Sequence, residues 1–258
     1  MKIESKEISL PILKEKGIRL FVKRLDKIHP FISGNKWFKL KYNLIEAKKL
    51  GHDTLLTFGG AYSNHIAATA FSAKEKRFKS IGIIRGEEHL PLNPTLRFAR
   101  ENGMELNYVS RADYRLKATL KFLDKLKSQF GDFYLLPEGG TNELAIKGAE
   151  EILDASDAQD YICCSVGTGG TITGIINASD SMQQVIGFPA IKGSGELLKD
   201  VRCWTDNDNF KFINSYNYGG YAKVSKELIQ FINKFYTTQG IALDAVYTGK
   251  MMMGVLDL

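Results

Sequence analysis

The sequence predicts an α/β fold in which twisted, mostly parallel sheets are flanked by helices. Short apolar runs alternate with longer amphipathic segments along the 258 residues, and Gly, Pro, Ser or Asn closes each run. A short apolar run suits one buried strand, and an amphipathic segment suits one helix with a solvated face. Strands that alternate with helices in this way predict a parallel sheet with helices on both faces.

The apolar runs give the positions of the predicted strands. They lie at residues 54–58, 80–84, 106–109, 133–136, 161–166 and 185–188. Between the strands, the segment 37–50 places Leu40, Leu44 and Ile45 on one side with lysines opposite, and Gly51 supplies a C-terminal stop.

A second helix is predicted after the strand at 106–109. Ser110, with Asp113 three residues later, resembles a capping box, the pairing of a hydroxyl and a carboxylate that starts a helix. We expect this helix to carry an apolar face of leucines. These are Leu116, Leu120, Leu123 and Leu126.

The composition limits the class of protein. With 44% hydrophobic residues the chain can bury a full core, and Lys plus Arg exceeds Asp plus Glu by 35 to 29. The basic residues are scattered over amphipathic segments, which indicates a solvated surface and does not favour nucleic-acid binding. We find no signal peptide and no run of about 18 apolar residues.

The cysteines and histidines carry no metal or disulfide pattern. Cys163, Cys164 and Cys203 give neither a disulfide framework nor zinc spacing, and the four histidines form no metal-binding spacing. Buried thiols in a reducing cytoplasm are therefore expected, with no metal site.

The first motif that carries chemistry is the turn Ser33-Gly34-Asn35-Lys36 at the start of a predicted helix. Gly34 allows a positive φ, and the helix that follows holds the lysine amine in place. Schiff-base chemistry needs a lysine that loses its proton near neutral pH, which burial favours. Taken alone, this signal is weak, because the chain is rich in lysine and most lysines are solvated surface charges.

The second motif, Gly59-Gly60-Ala61-Tyr62-Ser63-Asn64, follows the strand at 54–58. The glycines allow a sharp turn, and Ser63 and Asn64 arrive at a helix start whose unpaired N–H groups favour an anion. Helix capping by Ser63 is the simpler interpretation of the same residues.

The third motif, Gly167-Thr168-Gly169-Gly170-Thr171, joins the strand at 161–166 to a helix. Glycines let backbone amides approach a ligand, threonine hydroxyls add donors, and the helix dipole favours a phosphate. The motif lacks the endings of a P-loop and of the dinucleotide fingerprint. An amine, a hydroxyl on a glycine turn and a phosphate cradle together indicate an enzyme that uses pyridoxal phosphate.

In this order the motifs resemble the 1-aminocyclopropane-1-carboxylate deaminase and D-cysteine desulfhydrase family, a fold type II group related to the tryptophan synthase β subunit. The resemblance covers nearly the whole chain. It runs through residues 34–40, 58–65, 137–140, 167–171 and 244–250. It implies pyridoxal 5′-phosphate as cofactor, a small amino acid as substrate and a homodimer. It also implies two α/β domains, a larger cofactor domain at 1–38 and 139–258 and a smaller one at 39–138.

The resemblance assigns a role to each matching residue. It makes Lys36 the lysine that binds the cofactor covalently, Asn64 the partner of the ring's phenolic oxygen, and Ser63 the hydroxyl near the substrate carboxylate. The phosphate loop consists of Gly167, Thr168, Gly169, Gly170 and Thr171. Tyr218 and Tyr247 match the active-site tyrosines of the family, although Tyr218 is equally compatible with core packing.

Thr248 occupies the position that faces the pyridine nitrogen in the family. An acidic residue there would keep that nitrogen protonated, as ring opening of the cyclopropane substrate requires, whereas a threonine only hydrogen-bonds it. Thr248 therefore favours α,β-elimination from a D-amino acid such as D-cysteine, giving an α-keto acid and ammonia. Lys36 and a path assisted by Ser63 are both candidate bases for the α-proton.

The chain departs from the family pattern in two places. Family members continue past the position of Leu258 through another strand and a His-Thr-Gly-Gly-like turn, and residues 191–217 carry no assignable motif. These departures keep open a ligand-binding homologue that has lost turnover. 1-Aminocyclopropane-1-carboxylate deaminase and a serine or threonine dehydratase stay open as alternative enzymes.

Overall fold

A computed structural model describes residues 2–32, 34–191 and 194–258 of the chain. The chain forms two compact units. We call residues 29–148 the inserted unit, and residues 1–28 with 149–258 the terminal unit. The domain boundaries expected from the sequence, at 38/39 and 138/139, fall within the inserted unit, and that division stays a prediction.

The strands belong to separate sheets in the two units. They are β1 (Ser5–Ile8), β2 (Leu20–Lys23), β3 (Thr54–Gly59), β4 (Lys79–Arg85), β5 (Met104–Val109), β6 (Tyr134–Leu136), β7 (Tyr161–Val166), β8 (Gln184–Pro189) and β9 (Phe210–Phe212).

The helices follow the same chain order. They are α1 (Pro11–Glu15), α2 (Asn35–Lys49), α3 (Asn64–Lys76), α4 (Pro94–Glu101), α5 (Arg111–Tyr114), α6 (Leu120–Phe130), α7 (Glu143–Glu150), α8 (Gly170–Ala178), α9 (Ser194–Arg202), α10 (Lys226–Gln239) and α11 (Thr248–Asp257).

The inserted unit is built on a parallel sheet with the strand order β5-β4-β3-β6. Every residue of β3 is buried, as expected for a central parallel strand covered on both faces. Leu56 packs in a cluster with Phe122 and Leu126 of α6. Its neighbour Leu55 packs in a different cluster with Leu40 of α2. Because adjacent strand residues point to opposite faces, helices cover both faces of this sheet.

The terminal unit contains a parallel sheet of order β7-β8-β9 and an antiparallel pair, β1 with β2. Its core includes Ile8 of β1, Phe235 of α10 and Met252 of α11. Helix α11 lies very close to its neighbours, because a Cβ on Gly254 would sit 2.7 Å from Phe188 and 2.8 Å from Tyr216. This contact joins α11 to β8 and to the segment after β9.

The structure confirms the α/β class and each strand predicted from the apolar runs, with ends that move by one or two residues. One predicted helix is wrong. Ser110 caps only the short α5, and Thr119 ends the following turn by donating its hydroxyl to the Leu116 carbonyl at 2.8 Å before α6 begins. Leu116 and Leu120 are exposed at 49% and 79%, so they are not part of a buried leucine face.

The helix predicted at 37–50 is confirmed as α2, but its buried side differs from the expected one. Leu40 is buried and Leu44 is half-buried, whereas Ile45 is 55% exposed. The buried face uses Phe38 and Asn43. Within the part of the chain that the structure describes, we find no helix both long and apolar enough to cross a membrane.

Candidate active site

Lys36 lies in the first turn of α2, where its amine is removed from bulk water. Gly34 precedes the helix at a φ of 53°, a conformation that favours glycine. The Lys36 Nζ donates to the Gly139 carbonyl at 3.2 Å. Burial lowers the pKa of the Lys36 ammonium to about 8. Ser33, the first residue of this motif, lies outside the described residues.

The turn that contacts Lys36 packs against a buried histidine, His65. Gly139 and Gly140 have φ of 65° and 69°, and a Cβ on Gly140 would lie 2.8 Å from the His65 ring. The Thr57 hydroxyl donates to the Leu136 carbonyl at 2.9 Å and lies 2.8 Å from the His65 Nε2. A hydroxyl has one hydrogen, so it must accept from Nε2, which therefore carries the imidazole proton.

This assignment leaves the His65 Nδ1 with a lone pair and no proton. Nδ1 is buried and has no hydrogen-bond partner among the described residues. Burial, followed by the charges of Lys36 and Lys39, holds the pKa of His65 well below its usual value. His65 is thus a neutral ring with one free acceptor, beside the turn that contacts Lys36.

Ser63 and Asn64 begin α3, as the glycine turn predicts. The Ser63 Oγ accepts from the Ile66 N–H at 3.3 Å, so Ser63 is the N-cap, and Asn64 is exposed. Gly59 makes this arrangement possible, because a Cβ there would lie 2.8 Å from the Ser63 Oγ and 2.5 Å from Ile66. Since the cap uses Oγ only as an acceptor, the hydroxyl hydrogen of Ser63 can still be donated.

The loop between β7 and α8 has the features of an anion site. Gly169 precedes the helix at a φ of 85°, with no side-chain cap and no acidic residue in the first turn of α8. Thr168 is exposed and Thr171 is half-buried. A helix start without a cap presents backbone N–H groups and the positive end of the dipole to a ligand.

Tyr247 lies beside the first residue of this loop. A Cβ on Gly167 would be 3.2 Å from the Tyr247 ring and 3.4 Å from its hydroxyl. Tyr218 lies in the same unit, half-buried, with a φ of 49° and its ring 6.5 Å from that of Tyr216. Burial, with a smaller contribution from Asp257, raises the pKa of Tyr218.

Thr248 is tied to Asp244 by a reciprocal pair of hydrogen bonds. Its hydroxyl donates to the Asp244 Oδ2 at 2.8 Å and accepts from the Asp244 N–H at 2.8 Å. The same carboxylate accepts from the N–H groups of Val246, Tyr247 and Thr248. The Thr248 hydroxyl therefore has no spare donor and keeps one lone pair for a ligand.

Each unit brings together part of the predicted site. The inserted unit holds Lys36, Ser63 and Asn64, and the terminal unit holds the phosphate loop, Tyr218, Tyr247 and Thr248. No local sequence pattern indicates the neutral, buried state of His65, because that state depends on the distant Leu136 and Gly140. Asp244 had a local signal, an acidic residue just before a helix start.

The chain is similar to known proteins along nearly its whole length. The family described as "Pyridoxal-phosphate dependent enzyme" matches residues 3–258. A Thermotoga maritima protein named "Putative 1-aminocyclopropane-1-carboxylate deaminase" is 31% identical over 95% of this chain and 86% of its own length. The Arabidopsis thaliana "Bifunctional D-cysteine desulfhydrase/1-aminocyclopropane-1-carboxylate deaminase, mitochondrial" is 28% identical over 93% of this chain and 67% of its own.

A solved structure described as an ACC deaminase homologue superposes with a TM-score of 0.84 at 26% identity, covering 100% of this chain and 84% of that one. Fold and sequence therefore lead to the same group, and the chain belongs to the fold type II family of pyridoxal-phosphate-dependent enzymes, among relatives named as 1-aminocyclopropane-1-carboxylate deaminases and D-cysteine desulfhydrases.

Proposed function

We propose that this enzyme catalyses α,β-elimination from D-cysteine, in which D-cysteine and water give pyruvate, ammonia and hydrogen sulfide. The observation that carries the proposal is the Lys36 amine with its pKa near 8. At pH 7 about one Lys36 amine in ten is uncharged, against roughly one in several thousand for a free lysine. An uncharged amine is the form that attacks an aldehyde.

The residues present fit pyridoxal phosphate. The start of α8 at Gly169 and Gly170 has no side-chain cap and suits the phosphate, and Lys36 suits the aldehyde. When bound, the cofactor withdraws electrons from the α-carbon of the substrate. We assign Asn64, at the start of α3, to the phenolic oxygen of the cofactor ring, as its exposure allows.

The remaining site residues bind substrate and move protons. The hydroxyl hydrogen of Ser63 is free for the substrate carboxylate, because helix capping uses only its oxygen. Lys36 and a path assisted by Ser63 are the two candidate acceptors of the α-proton. Tyr218, whose raised pKa keeps its phenol protonated, and Tyr247 supply hydroxyl donors in the terminal unit.

Thr248 supports elimination over ring opening. We assign it to the pyridine nitrogen. Because its hydroxyl hydrogen is donated to Asp244, its remaining lone pair can accept only from a protonated nitrogen, and it brings no charge of its own to stabilise that state. A carboxylate at this position would stabilise a protonated ring directly, so the threonine site withdraws electrons less strongly. Expulsion of sulfide needs less electron withdrawal by the cofactor ring than opening a cyclopropane does.

1-Aminocyclopropane-1-carboxylate deamination is the second candidate, in which the substrate and water give 2-oxobutanoate and ammonia. Two observations favour it. The Thermotoga maritima relative bears that name, and Asp244 places a carboxylate directly behind the Thr248 hydroxyl.

The test is product formation by the purified, cofactor-loaded enzyme. We expect sulfide and pyruvate from D-cysteine, and little product from L-cysteine, L-serine or 1-aminocyclopropane-1-carboxylate. Lys36→Ala should abolish turnover and the visible absorption of the cofactor, whereas the exposed Lys48→Met on the same helix should change neither. Preferential production of 2-oxobutanoate would select the second candidate, and turnover of L-serine alone would indicate a dehydratase.

A binding-only homologue would give a different outcome. It would retain the absorption band with wild-type Lys36, shift that band on adding an amino acid, and release no product. We further propose a cytoplasmic homodimer. The three cysteines are free, which suits a reducing compartment, and light scattering of the purified protein tests the subunit number.

A further inference from the structure

Lys250, on α11, is a buried lysine whose ammonium contacts a single loop. The residue is 2% exposed. Its Nζ donates to the Asn217 carbonyl at 2.9 Å and to the Gly220 carbonyl at 2.8 Å. Buried lysines are rare unless they are paired, and here the bonding partners are two backbone oxygens three residues apart.

The contacted loop has an unusual backbone. Tyr218 and Ala222 have φ of 49° and 55°, and Gly219 and Gly220 have φ of 90° and 108°. A left-handed conformation is unfavourable for a residue with a side chain. Such strain persists only where the surroundings hold it, and it concentrates at functional positions.

The surrounding structure fixes both the loop and the helix beneath it. Within the loop, the N–H of Gly219 donates to the Asn217 Oδ1 at 3.0 Å. At the loop's near end, the Tyr216 hydroxyl donates to the Asp257 Oδ2 at 2.6 Å. Helix α11 itself has little room to shift against α10, because a Cβ on Gly249 would lie 2.7 Å from the Ile232 side chain.

We propose that Lys250 is a positioning residue, whose two hydrogen bonds hold residues 217–222 in the conformation that presents the Tyr218 hydroxyl to the substrate. The role assigned to Tyr218 rests on the proposed function, whereas the anchoring of the loop does not. The lysine never touches the reacting atoms. It acts through the peptide groups on either side of Tyr218.

The state of the ammonium is compatible with this role. Burial lowers the pKa of Lys250, while the nearby Asp244 raises it. An uncharged amine still has two N–H donors for the two carbonyls, so the anchor survives deprotonation in weaker form.

The first test is hydrogen exchange of the peptide that covers residues 214–223 in the cofactor-loaded enzyme. Lys250→Met keeps the length of the side chain and removes its donors, and we expect exchange to be about tenfold faster or more. The matched control is Lys223→Met, which removes an exposed ammonium from the same loop and should leave exchange unchanged. Unchanged exchange in Lys250→Met would overturn the anchoring.

The second test asks whether Lys250 acts through Tyr218. We expect Lys250→Met to lower kcat/KM by about 100-fold, as misplacing a catalytic group by about 1 Å does. In a Tyr218→Phe background, adding Lys250→Met should lower kcat/KM by less than about twofold, because the hydroxyl that Lys250 positions is already absent. Independent, multiplying effects would show a purely structural role and overturn the proposal.

These tests separate the two proposals. If the wild-type enzyme turns over none of the candidate substrates, the proposed function fails, and hydrogen exchange alone decides whether Lys250 anchors the loop. If Lys250→Met does not fold, Lys250→Gln replaces it in both tests, because glutamine keeps two N–H donors on a shorter side chain. Failure of both variants to fold would assign Lys250 to the stability of the whole unit and overturn the positioning role.

Discussion

Replacing Lys36 by methionine should stabilise the cofactor-free protein at neutral pH, although it removes the reactive amine. The folded protein lowers the pKa of Lys36 from 10.5 to about 8, so it disfavours the ammonium that an unfolded chain carries. Methionine has a similar length and no charge to bury. We therefore predict that burying Lys36, the proposed cofactor-binding lysine, lowers the stability of the fold.

The magnitude follows from the difference between the two pKa values. Lowering the pKa from 10.5 to about 8, at about 1.4 kcal/mol per pKa unit, costs the folded state about 3 kcal/mol below pH 8. Water near the half-buried side chain reduces this figure. The substitution also removes the bond to the Gly139 carbonyl, worth about 1 kcal/mol. We expect Lys36→Met to have a free energy of unfolding about 1 to 2 kcal/mol higher than that of wild type at pH 7.

The sign of the effect depends on pH. Between pH 8 and 10.5 the unfolded chain binds more protons at this position than the folded one, so wild-type stability rises with pH through that window. By pH 10.5 the advantage of methionine should be lost, leaving Lys36→Met about 1 kcal/mol less stable because of the missing bond.

Urea denaturation of both cofactor-free proteins at pH 7 and pH 10.5 measures this difference. Lys48→Met, on the exposed end of the same helix, is the control. Its free energy of unfolding should stay within about 0.5 kcal/mol of that of wild type at both pH values. The claim that the Lys36 amine is buried would be refuted if Lys36→Met were less stable than wild type at pH 7. It would also be refuted if the difference in free energy of unfolding between the two proteins did not change with pH.

Three further substitutions test the glycine turns and the start of α11. Gly169→Ala, at a φ of 85°, should weaken cofactor binding about tenfold or more in a fluorescence titration, whereas Gly195→Ala, at an exposed position of α9, should not. Gly140→Ala should lower the free energy of unfolding in urea by about 2 kcal/mol more than Gly131→Ala. Both have positive φ, but only Gly140 faces the buried imidazole, at 2.8 Å. Asp244→Asn replaces one carboxylate oxygen at the start of α11 by an NH2 group that cannot accept, and thermal denaturation should show a loss of about 1–2 kcal/mol in the free energy of unfolding.

The central strands were predictable because a strand that is buried on both faces has a continuous apolar run in the sequence. β3 is apolar or threonine almost throughout, and its run in the sequence differs from the observed strand by one residue. β1, with the sequence Ser-Lys-Glu-Ile, and the three-residue β9 have no continuous apolar run. Their pairing depends on the partner strand, which a local pattern does not contain.

The break between α5 and α6 was missed for a similar reason. Leucine spacing across residues 116–126 fits a helix, but Tyr114 donates its hydroxyl to Glu138 at 2.8 Å, and the Thr119 hydroxyl turns back to Leu116. A contact across 24 residues and a local side-chain bond outweighed helix propensity.

The candidate site divides in the same way. The glycine-threonine loop and the Ser63 cap were predictable, since each is a local sequence at a helix start. The partners of Lys36 and Lys250 were not. Lys36 contacts a carbonyl 103 residues away, and Lys250 contacts carbonyls 33 and 30 residues away. The roles proposed for Lys36 and Lys250 depend on those distant partners.

The most direct test of the account is to locate the covalent bond between protein and cofactor. The enzyme loaded with pyridoxal phosphate is treated with borohydride, which fixes an imine as a stable amine, and the modified peptide is identified by mass spectrometry. The account predicts modification at Lys36 alone, although Lys39 and Lys250 are more deeply buried. A label on either of those lysines, or no label in a protein that retains the cofactor, would contradict it.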